Sequence, residues 1–252
     1  MSAALFSLRG RTALVTGART GIGRAVALGL AAAGADLVLL GRTADLGEVP
    51  DQVRAHGVAA EVLGVDLADP AAAEEPLRAA LAERPIDVLV NNAGIIHREA
   101  AADVSYADWR RVLGVNLDSV FLLSRLAGQR MLDRGSGKII NIASLLSFQG
   151  GLRVPAYAAA KHAVGGLTKA LANEWAPHGV QVNAIAPGYI RTGNTDALRA
   201  DGQREAEIRA RIPAGRWGEP EDLAGAAVFL ASAASDYVNG HVLVVDGGWM
   251  AR

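Results

Sequence analysis

The chain has 252 residues, of which 51% are hydrophobic and only 5% aromatic, so its core must consist mainly of small aliphatic side chains. It has no cysteine, which excludes disulfides and thiolate metal sites. With 25 basic and 26 acidic residues its net charge is −1, which gives no reason to expect a nucleic acid or an anionic membrane as partner.

The N-terminal stretch MSAALFSLRGRTALVTG lacks the charged and apolar regions of a signal peptide. No apolar run reaches the length of a membrane span. We therefore expect a cytoplasmic protein.

Short apolar runs alternate with longer alanine-rich stretches along the whole chain. Most of the runs are continuously apolar, which is typical of parallel strands that are covered on both faces. Strands are predicted at 12–15, 37–40, 61–65, 88–90, 138–142, 180–185 and 241–245. The pattern predicts an α/β fold: a single Rossmann-like domain over 1–252, with a doubly wound parallel sheet and helices on both faces.

A glycine-rich turn, TGARTGIG at 16–23, follows the first strand and precedes the first long helix. Glycines let a ligand approach the backbone, and a helix N-terminus offers free N–H groups and a partial positive charge. The glycines stand at 17, 21 and 23, which differs from the usual Gly-x-Gly-x-x-Gly spacing. The position of the turn nevertheless predicts the pyrophosphate site of a dinucleotide.

The end of the second strand, Leu40-Gly41-Arg42-Thr43, carries no carboxylate that could bind the ribose of NAD. Arg42 instead supplies a cation for a 2′-phosphate, and Arg19 in the glycine-rich turn adds a second one. These residues favour NADP over NAD. In the alternative, Arg42 stacks on adenine or faces solvent, and either cofactor would serve.

Tyr157 and Lys161 stand four residues apart and so share one helix face, and Ser144 precedes them. A nearby ammonium favours a phenolate, and bringing the tyrosine pKa from about 10 to about 7 requires roughly 4 kcal/mol. With a serine hydroxyl on the substrate oxygen, the three side chains predict proton transfer to and from that oxygen. The spacing alone also fits a half-buried tyrosine beside a solvated lysine.

The segment 189–218 interrupts the alternation of strands and helices. It is polar, rich in arginine and glycine, and long for a connection between two strands. Insertions of this kind usually act as lids or binding loops, so we expect it to contact the substrate.

Together these motifs resemble those of the short-chain dehydrogenase/reductase family over essentially the whole chain. The matching residues are TGARTGIG at 16–23, Asp66-Leu67, Asn91 to Gly94, Asn116, Ser144, Tyr157, Lys161, Pro187-Gly188 with Thr192, and Asp246-Gly247-Gly248. Several motifs in this order are far more specific than any one of them.

The resemblance implies that Tyr157 is the general acid/base and that Ser144 binds the substrate oxygen. Lys161 would lower the pKa of Tyr157 and hold the nicotinamide ribose, and Asn116 would position a water of a proton relay. The implied cofactor contacts are Gly17, Arg19, Thr20, Gly21, Ile22, Gly23, Arg42, Asp66, Leu67, Asn92, Ala93, Gly94, Tyr157, Lys161, Pro187, Gly188, Ile190 and Thr192.

Among these contacts, Asp66 would meet the adenine amino group, and Asn92 with its neighbours would line the adenosine ribose. Ile190 and Thr192 would lie against the nicotinamide carboxamide. The implied reaction needs no metal, and members of the family are usually homotetramers or homodimers.

Within the family the chain resembles the sugar-acid branch of 2-deoxygluconate and 2-keto-3-deoxygluconate dehydrogenases, with gluconate 5-dehydrogenases nearby. The segments that carry this resemblance are 137–145, 146–158, 173–175, 194–199, 211–224 and the C-terminal SDYVNG and VDGGWMAR. It implies hydride transfer between a nicotinamide cofactor and a hydroxy or keto sugar acid.

A sugar acid needs a cation for its carboxylate and polar groups for its hydroxyls. Arg153, four residues before Tyr157, is the first candidate for the cation, and Arg98 with His97 is the second. Gln149 and Asn194 are candidates for the hydroxyls. Trp217 and Trp249 are expected to pack in the interior.

Three other functions remain compatible with these residues. A 3-oxoacyl thioester reductase or a general polyol dehydrogenase would use the same four catalytic residues without a carboxylate anchor. A non-catalytic cofactor-binding protein is the third, although all four catalytic positions are filled. The sequence leaves the oxidised carbon and the physiological direction open.

Overall fold

The computed structural model describes residues 2–252, and its centre is one seven-stranded sheet. The strands are β1 (Thr12–Thr16), β2 (Asp36–Gly41), β3 (Ala60–Gly64), β4 (Val88–Asn91), β5 (Gly137–Ile142), β6 (Val180–Pro187) and β7 (Val242–Val245). Neighbouring strands are all parallel, in the order β3-β2-β1-β4-β5-β6-β7. Each strand coincides with a predicted apolar run and differs from it by at most two residues at either end.

Helices cover both faces of this sheet. They are α1 (Ser2–Leu5), α2 (Gly21–Ala32), α3 (Val49–Arg54), α4 (Pro70–Ala82), α5 (Tyr106–Leu113), α6 (Ser119–Arg134), α7 (Pro155–Trp175), α8 (Asp196–Ala200), α9 (Gly202–Arg211) and α10 (Ala224–Ala231). Side chains of α2, α3 and α10 form the core on one face, and those of α4, α6 and α7 form it on the other. The predicted doubly wound α/β fold is therefore confirmed.

The first strand shows why these runs are continuously apolar. Along β1, Ala13 and Val15 pack into the core of one face, and Leu14 between them packs into the core of the other. Because successive side chains of a strand point to opposite faces, a sheet covered on both sides needs an apolar residue at every position.

The strand order reverses beside β1, which pairs with β2 on one side and with β4 on the other. Connections from the two neighbours leave in opposite directions there, so a crevice opens beyond the carboxyl ends of the strands. The glycine-rich turn begins at this point, between Thr16 and α2. The topology thus places the main ligand crevice where the sequence predicts dinucleotide binding.

The segment 189–218 leaves the sheet after β6 and contains α8 and α9. A single bridge between Ile190 and Gly218 closes it at its base. Ile208 and Ile212 of this segment pack with Trp217 and Trp249 in a small separate core. Its polar composition arises because α9 buries only a narrow apolar stripe and exposes its charged side chains.

Trp217 and Trp249 are both buried and flank Tyr189, whose ring centroid lies 5.4 Å from that of Trp217 and 4.6 Å from that of Trp249. This agrees with the expectation that both indoles are packing residues. The aromatic cluster fixes the segment against the C-terminal residues.

Within the described residues, the structure contains no helix whose length and apolar character would let it cross a membrane.

Candidate active site

A cavity of about 700 Å³ lies at the carboxyl ends of the strands, beside the reversal of strand order. It extends from the loops after β2 and β3 to Ser144, Tyr157 and Lys161. Of the expected cofactor contacts, the following line it: Gly17, Arg19, Thr20, Gly21, Ile22, Arg42, Asp66, Leu67, Asn92, Ala93, Gly94, Tyr157, Lys161, Pro187, Gly188, Ile190 and Thr192. Residues that are distant in sequence therefore meet in one crevice.

Gly23 does not line the cavity, but it has a structural reason to be glycine. A Cβ atom there would collide with the carbonyl of Gly17 and with the side chain of Asn92. Gly17 itself has φ +65°, a left-handed conformation that favours glycine. Gly23 thus lets α2 approach the turn closely, and Gly17 shapes the backbone that faces the ligand.

The side chain of Asn92 supports this turn from below. Its Nδ2 donates to the carbonyls of Thr16 at 2.9 Å and Gly17 at 3.3 Å. The hydroxyl of Thr16 in turn accepts from the backbone N–H groups of Asn92 and Ala93, each at 2.9 Å. The side-chain amide of Asn92 therefore holds the glycine-rich turn in place. Asn92 also lines the cavity, next to Ala93.

Lys161 lies at the inner end of the cavity with only 4% of its surface exposed. Its ammonium donates to the carbonyl of Ile142, at the end of β5, over 2.6 Å. Burial disfavours the charged form and lowers the pKa of Lys161 from 10.5 to about 8. The lysine is thus held by the sheet rather than by a carboxylate.

Tyr157 is on the same helix, with its ring centroid 5.6 Å from Nζ of Lys161. Burial raises the pKa of the phenol above its usual value of 10, and the Ser144 hydroxyl and the Arg98 guanidinium offset part of that rise. The expected lowering of this pKa by Lys161 is therefore wrong for this structure. The reason is physical: Nζ is directed to Ile142, and desolvation of the phenolate outweighs the favourable contacts.

Ser144 begins a short turn that is tied to α7. Its Oγ accepts from the N–H of Leu146 at 3.1 Å, and Ser147 donates to the carbonyl of Lys161 at 2.6 Å. These bonds link the serine loop to the helix that carries Tyr157 and Lys161. The three side chains are consequently positioned by one rigid unit.

Asn116 is completely buried in a π-helical turn, Gly114–Asp118, which joins α5 to α6. Its Nδ2 donates to the carbonyls of Ile95 at 2.9 Å and Val112 at 2.8 Å. Its Oδ1 has no hydrogen-bond partner among the described residues, although the residue lines the cavity. A buried acceptor of this kind requires a donor, and the cavity is where one can be supplied.

A buried polar chain supports the catalytic end from beneath. Nδ2 of Asn91 donates to Ser124 at 3.0 Å and to Asn141 at 2.9 Å, and Nδ2 of Asn141 donates to Thr168 at 2.9 Å. Thr168 then donates to the carbonyl of Val164 at 2.8 Å. The chain connects β4, β5, α6 and α7, so it fixes the helix that carries Tyr157 relative to the sheet.

The opposite end of the cavity, here named the adenosine end because the sequence predicts that half of the cofactor there, is formed by charged and exposed side chains. Arg19 and Arg42 both line it, as predicted for a 2′-phosphate, together with Asp66. Asp45 and Arg111 also line this end and were not predicted. Two guanidinium groups can bind a 2′-phosphate, and the backbone of the glycine-rich turn beside them can approach a pyrophosphate closely. The residues present therefore fit the expected cofactor.

The candidates for substrate binding are less closely grouped. Asn194 lines the cavity, and its carbonyl accepts from Arg98 at 2.7 Å. Arg98 is near enough to Tyr157 to lower its pKa, although it is not among the lining residues. His97 lies outside the lining, with Nε2 3.0 Å from the Glu99 carboxylate.

Arg153 and Gln149 also lie outside the lining of the cavity. The Arg153 side chain is exposed and forms no hydrogen bond or ion pair with the described residues. Its backbone has φ +61°, the only left-handed value of a non-glycine residue in the described part of the chain, and its carbonyl accepts from the N–H of Glu99 at 2.9 Å. The backbone of the Arg153 loop, rather than its side chain, is therefore tied to the segment that carries Arg98.

Some site residues escaped the sequence analysis. The carbonyls of Ile142 and Ile95 hold Lys161 and Asn116, but backbone acceptors carry no sequence signal. Thr16 stands in the quoted motif at 16–23, but its role in binding the N–H groups of Asn92 and Ala93 was not predicted. Asp45 lies only three residues beyond Arg42 and was also within reach.

Comparison with known proteins gives consistent matches over almost the whole chain. A family described as "Enoyl-(Acyl carrier protein) reductase" matches residues 17–250. The chain is 58% identical to 2-dehydro-3-deoxy-D-gluconate 5-dehydrogenase of Bacillus subtilis, over 98% of this chain and 97% of that protein.

Two solved structures illustrate the same likeness. A protein of Beutenbergia cavernae described as an NAD(P)-dependent gluconate 5-dehydrogenase, with NADP bound at low occupancy, is 60% identical, with a TM-score of 0.96 over 98% of this chain and 100% of that one. A gluconate 5-dehydrogenase of Burkholderia cenocepacia in complex with NADP and tartrate is 42% identical, with a TM-score of 0.94 over 100% of both chains. With these relatives and the assembled site, the chain belongs to the short-chain dehydrogenase/reductase family and is an oxidoreductase that acts on CH–OH groups.

Proposed function

We propose that this protein is an NADP-preferring dehydrogenase that interconverts a hydroxy and a keto sugar acid, of the 2-dehydro-3-deoxygluconate or gluconate 5-dehydrogenase type. One observation carries the proposal: a single cavity has Tyr157, Lys161 and Ser144 at one end and Arg19 with Arg42 at the other. The named relatives support the substrate class, and the NADP in the solved relatives supports the cofactor.

The proposed cofactor would lie along the cavity, with its pyrophosphate at the glycine-rich turn and its 2′-phosphate at Arg19 and Arg42. When bound, it supplies a hydride acceptor for oxidation and a hydride donor for reduction. Lys161, Ile190 and Thr192 are proposed to hold its nicotinamide half. No metal is required for this chemistry.

Tyr157 is proposed to exchange the proton of the substrate oxygen. Because burial raises the pKa of its phenol, it is protonated near neutral pH and suited to donate to a carbonyl oxygen. In the opposite direction it must first lose that proton. We therefore expect oxidation to accelerate more than reduction as the pH rises, which initial rates measured in both directions would test.

Lys161 and Asn116 are proposed to return the proton to solvent. Lys161, whose pKa of about 8 is close to neutral, can gain and lose a proton at little cost. The unpartnered Oδ1 of Asn116 is a buried acceptor at the same end of the cavity and can hold a water there. Ser144 is proposed to donate a hydrogen bond to the substrate oxygen.

Arg98 is the proposed anchor of the substrate carboxylate. Its charge lowers the pKa of Tyr157, and its guanidinium donates to the carbonyl of Asn194 in the 189–218 segment at 2.7 Å. Asn194, and with less support Gln149 and His97, would meet the hydroxyls. The exposed Arg153 is the competing candidate.

The 189–218 segment is proposed to cover the substrate. Thr192, Gly193, Asn194 and Thr195 line the cavity, and the bridge at Ile190 and Gly218 provides a fixed base. Ile208 of α9, packed with Trp217 and Trp249, would hold the cover in place over the substrate.

A homodimer or homotetramer is also proposed. Phe121 of α6 is 49% exposed, and Tyr106 and Leu152 are more exposed still. Where such side chains form one contiguous patch, they suit a contact between subunits. Light scattering after size exclusion would decide, because a monomeric mass at micromolar concentration would contradict the proposal.

A substrate panel tests the proposed reaction directly. Purified protein would be assayed with 2-keto-3-deoxygluconate, gluconate, 5-ketogluconate, 2-deoxygluconate, a neutral polyol and a β-ketoacyl ester, each with NAD(H) and NADP(H). We expect turnover confined to the sugar acids. Turnover on the ester or the polyol alone would discard the sugar-acid assignment and leave the family assignment intact.

Two arginine variants test the carboxylate anchor. We expect Arg98→Ala to raise KM for a sugar acid by about tenfold or more, because a charge-assisted pair is lost. KM for the nicotinamide cofactor should stay unchanged. Arg153→Ala decides between the two candidates, and Arg54→Ala, at an exposed ion pair on α3, is the control. If only Arg153→Ala raised KM, the anchor would be Arg153.

A further inference from the structure

The adenosine end of the cavity contains an acidic residue among its cations. Asp45 lines this end together with Arg19 and Arg42. Its Oδ2 lies 3.5 Å from a guanidinium nitrogen of Arg19, and both side chains are largely exposed, at 71% and 58%. Arg42, in contrast, makes no ion pair with any residue between Ser2 and Arg252. The two arginines predicted to bind a 2′-phosphate, Arg19 and Arg42, are therefore not equivalent.

The position of Asp45 is fixed by its neighbours. Leu46 is buried in the core below, and a Cβ at Gly64 would lie 2.6 Å from the backbone N of Ala44, so the loop packs tightly on the ends of β2 and β3. The N–H of Gly47 donates to Oδ1 of Asp45 at 3.0 Å. With one oxygen held by the backbone, the other is left to face Arg19.

A 2′-phosphate carries up to two negative charges, and its affinity comes mainly from guanidinium groups. A fixed carboxylate beside the same guanidinium repels that phosphate and already occupies Arg19 as a partner. NAD has a hydroxyl at this position and feels neither effect. Because the pair is exposed, the energy involved is modest, but cofactor choice depends on a difference between two affinities.

We propose that Asp45 sets the strength of the cofactor preference, by competing with the 2′-phosphate for Arg19 and so keeping NAD acceptable beside NADP. The inference rests on the proposed use of a nicotinamide dinucleotide. It assigns opposite roles to two residues three positions apart. Arg42 favours binding of NADP, and Asp45 limits the preference for NADP over NAD.

The test is Asp45→Asn, which keeps the oxygen that accepts from Gly47 and removes only the charge. Dissociation constants of NADPH and NADH would be measured by fluorescence titration on the full chain without substrate. We expect NADPH to bind about three- to tenfold more tightly and NADH to change by less than about twofold. The gain should shrink at high salt, because screening weakens exposed charges.

A matched control is Asp51→Asn. Asp51 is also an exposed carboxylate paired with an arginine, Arg54, at 2.8 Å, but it does not line the cavity. We expect this variant to leave both dissociation constants unchanged. An equal gain in NADPH affinity in both variants would mean that only the overall charge of the protein matters. That result would overturn the role assigned to Asp45.

A double-mutant cycle with Arg19→Ala tests the competition itself. In that background Asp45→Asn should tighten NADPH binding by a smaller factor, because the contested partner is gone. An undiminished factor would overturn the proposal, as would unchanged NADPH affinity in the single variant. Weaker NADH binding with unchanged NADPH binding would also overturn it and make Asp45 a ribose acceptor. If the wild-type chain bound neither cofactor, the proposed function itself would fail.

Discussion

The two ends of the cavity are built on opposite physical principles. At the adenosine end, Arg19 and Asp45 are mostly exposed and interact through solvent-screened charges. At the catalytic end, Lys161 and Asn116 are buried and held by backbone carbonyls at 2.6–2.9 Å. Exposed charges change an affinity in small steps, whereas buried polar groups shift pKa values and cost stability. One end can therefore be altered with little risk to the fold, and the other cannot.

The largest effect should come from Tyr157→Phe at the buried end. It removes one hydroxyl and keeps the ring, so we expect kcat to fall by about 10³-fold or more. The dissociation constant of NADPH should stay within about twofold of the wild-type value. Steady-state assays and fluorescence titration measure both, with Tyr237→Phe at a fully exposed tyrosine as control. Near-full activity of the variant would remove Tyr157 from the mechanism.

The buried polar chain beneath the site provides the next test. Asn141→Ala removes one buried hydrogen-bond partner from each of Asn91 and Thr168 and leaves a cavity between them, and we expect a loss of about 3 kcal/mol in the free energy of unfolding. Urea denaturation measures it. Gln203→Ala removes an exposed bond to Glu207 and should cost less than about 0.5 kcal/mol. Equal losses in the two variants would contradict the contrast between buried and exposed regions.

Lys161 should make stability depend on pH. The pKa of Lys161 is about 8 in the folded chain, whereas a solvated lysine, as in the unfolded chain, has a pKa of 10.5. Between these values the unfolded chain binds more protons, so this group's contribution to stability rises with pH. We expect the unfolding free energy of the wild type, minus that of Lys161→Met, to increase by about 2 kcal/mol from about pH 7 to about pH 9.5.

The matched control for this pH effect is Lys169→Met, at an exposed lysine of the same helix. The corresponding difference for that variant should stay flat over the same range. A flat difference for Lys161→Met as well would mean that the buried ammonium is solvated as freely as the exposed one.

The smallest effect is expected at the exposed end. Arg42→Ala removes a cation from the proposed 2′-phosphate site, and NADPH affinity should fall by about tenfold, or about 1.4 kcal/mol. NADH affinity should change by less than about twofold. Fluorescence titration measures both constants, and Arg54→Ala serves as control. A parallel loss for both cofactors would assign Arg42 to adenine stacking.

The fold could be predicted because its signals are local and repeated. Continuous apolar runs such as Leu37–Leu40 predicted buried parallel strands, and the turn at 16–23 marked the crevice beside β1. Seven predicted strands were confirmed in this way. The position of Tyr157, Lys161 and Ser144 at one cavity also followed from motifs, because those residues belong to elements that the topology must bring together.

Other properties of the site depended on contacts that no motif contains. The sequence predicts a lysine near Tyr157 but does not show that its ammonium is directed to the carbonyl of Ile142, so the direction of the tyrosine's pKa shift was wrong. The sequence alone placed Arg153 before Arg98 as the candidate carboxylate anchor. Only the fold shows that the Arg153 side chain is exposed and that Arg98 donates to the carbonyl of Asn194.

The π-helical turn at Gly114–Asp118 has a consequence for how this site can be lost or acquired. A π turn holds one residue more than an α-helical turn, so it corresponds to a single-codon insertion in a helix that would otherwise run unbroken from Tyr106 to Arg134. Deleting one residue of the turn ahead of Asn116 would restore a regular α-helix. The deletion would rotate Asn116 by about 100° around the helix axis relative to the residues before the turn. The helix would survive the deletion, and the amide oxygen would leave the cavity.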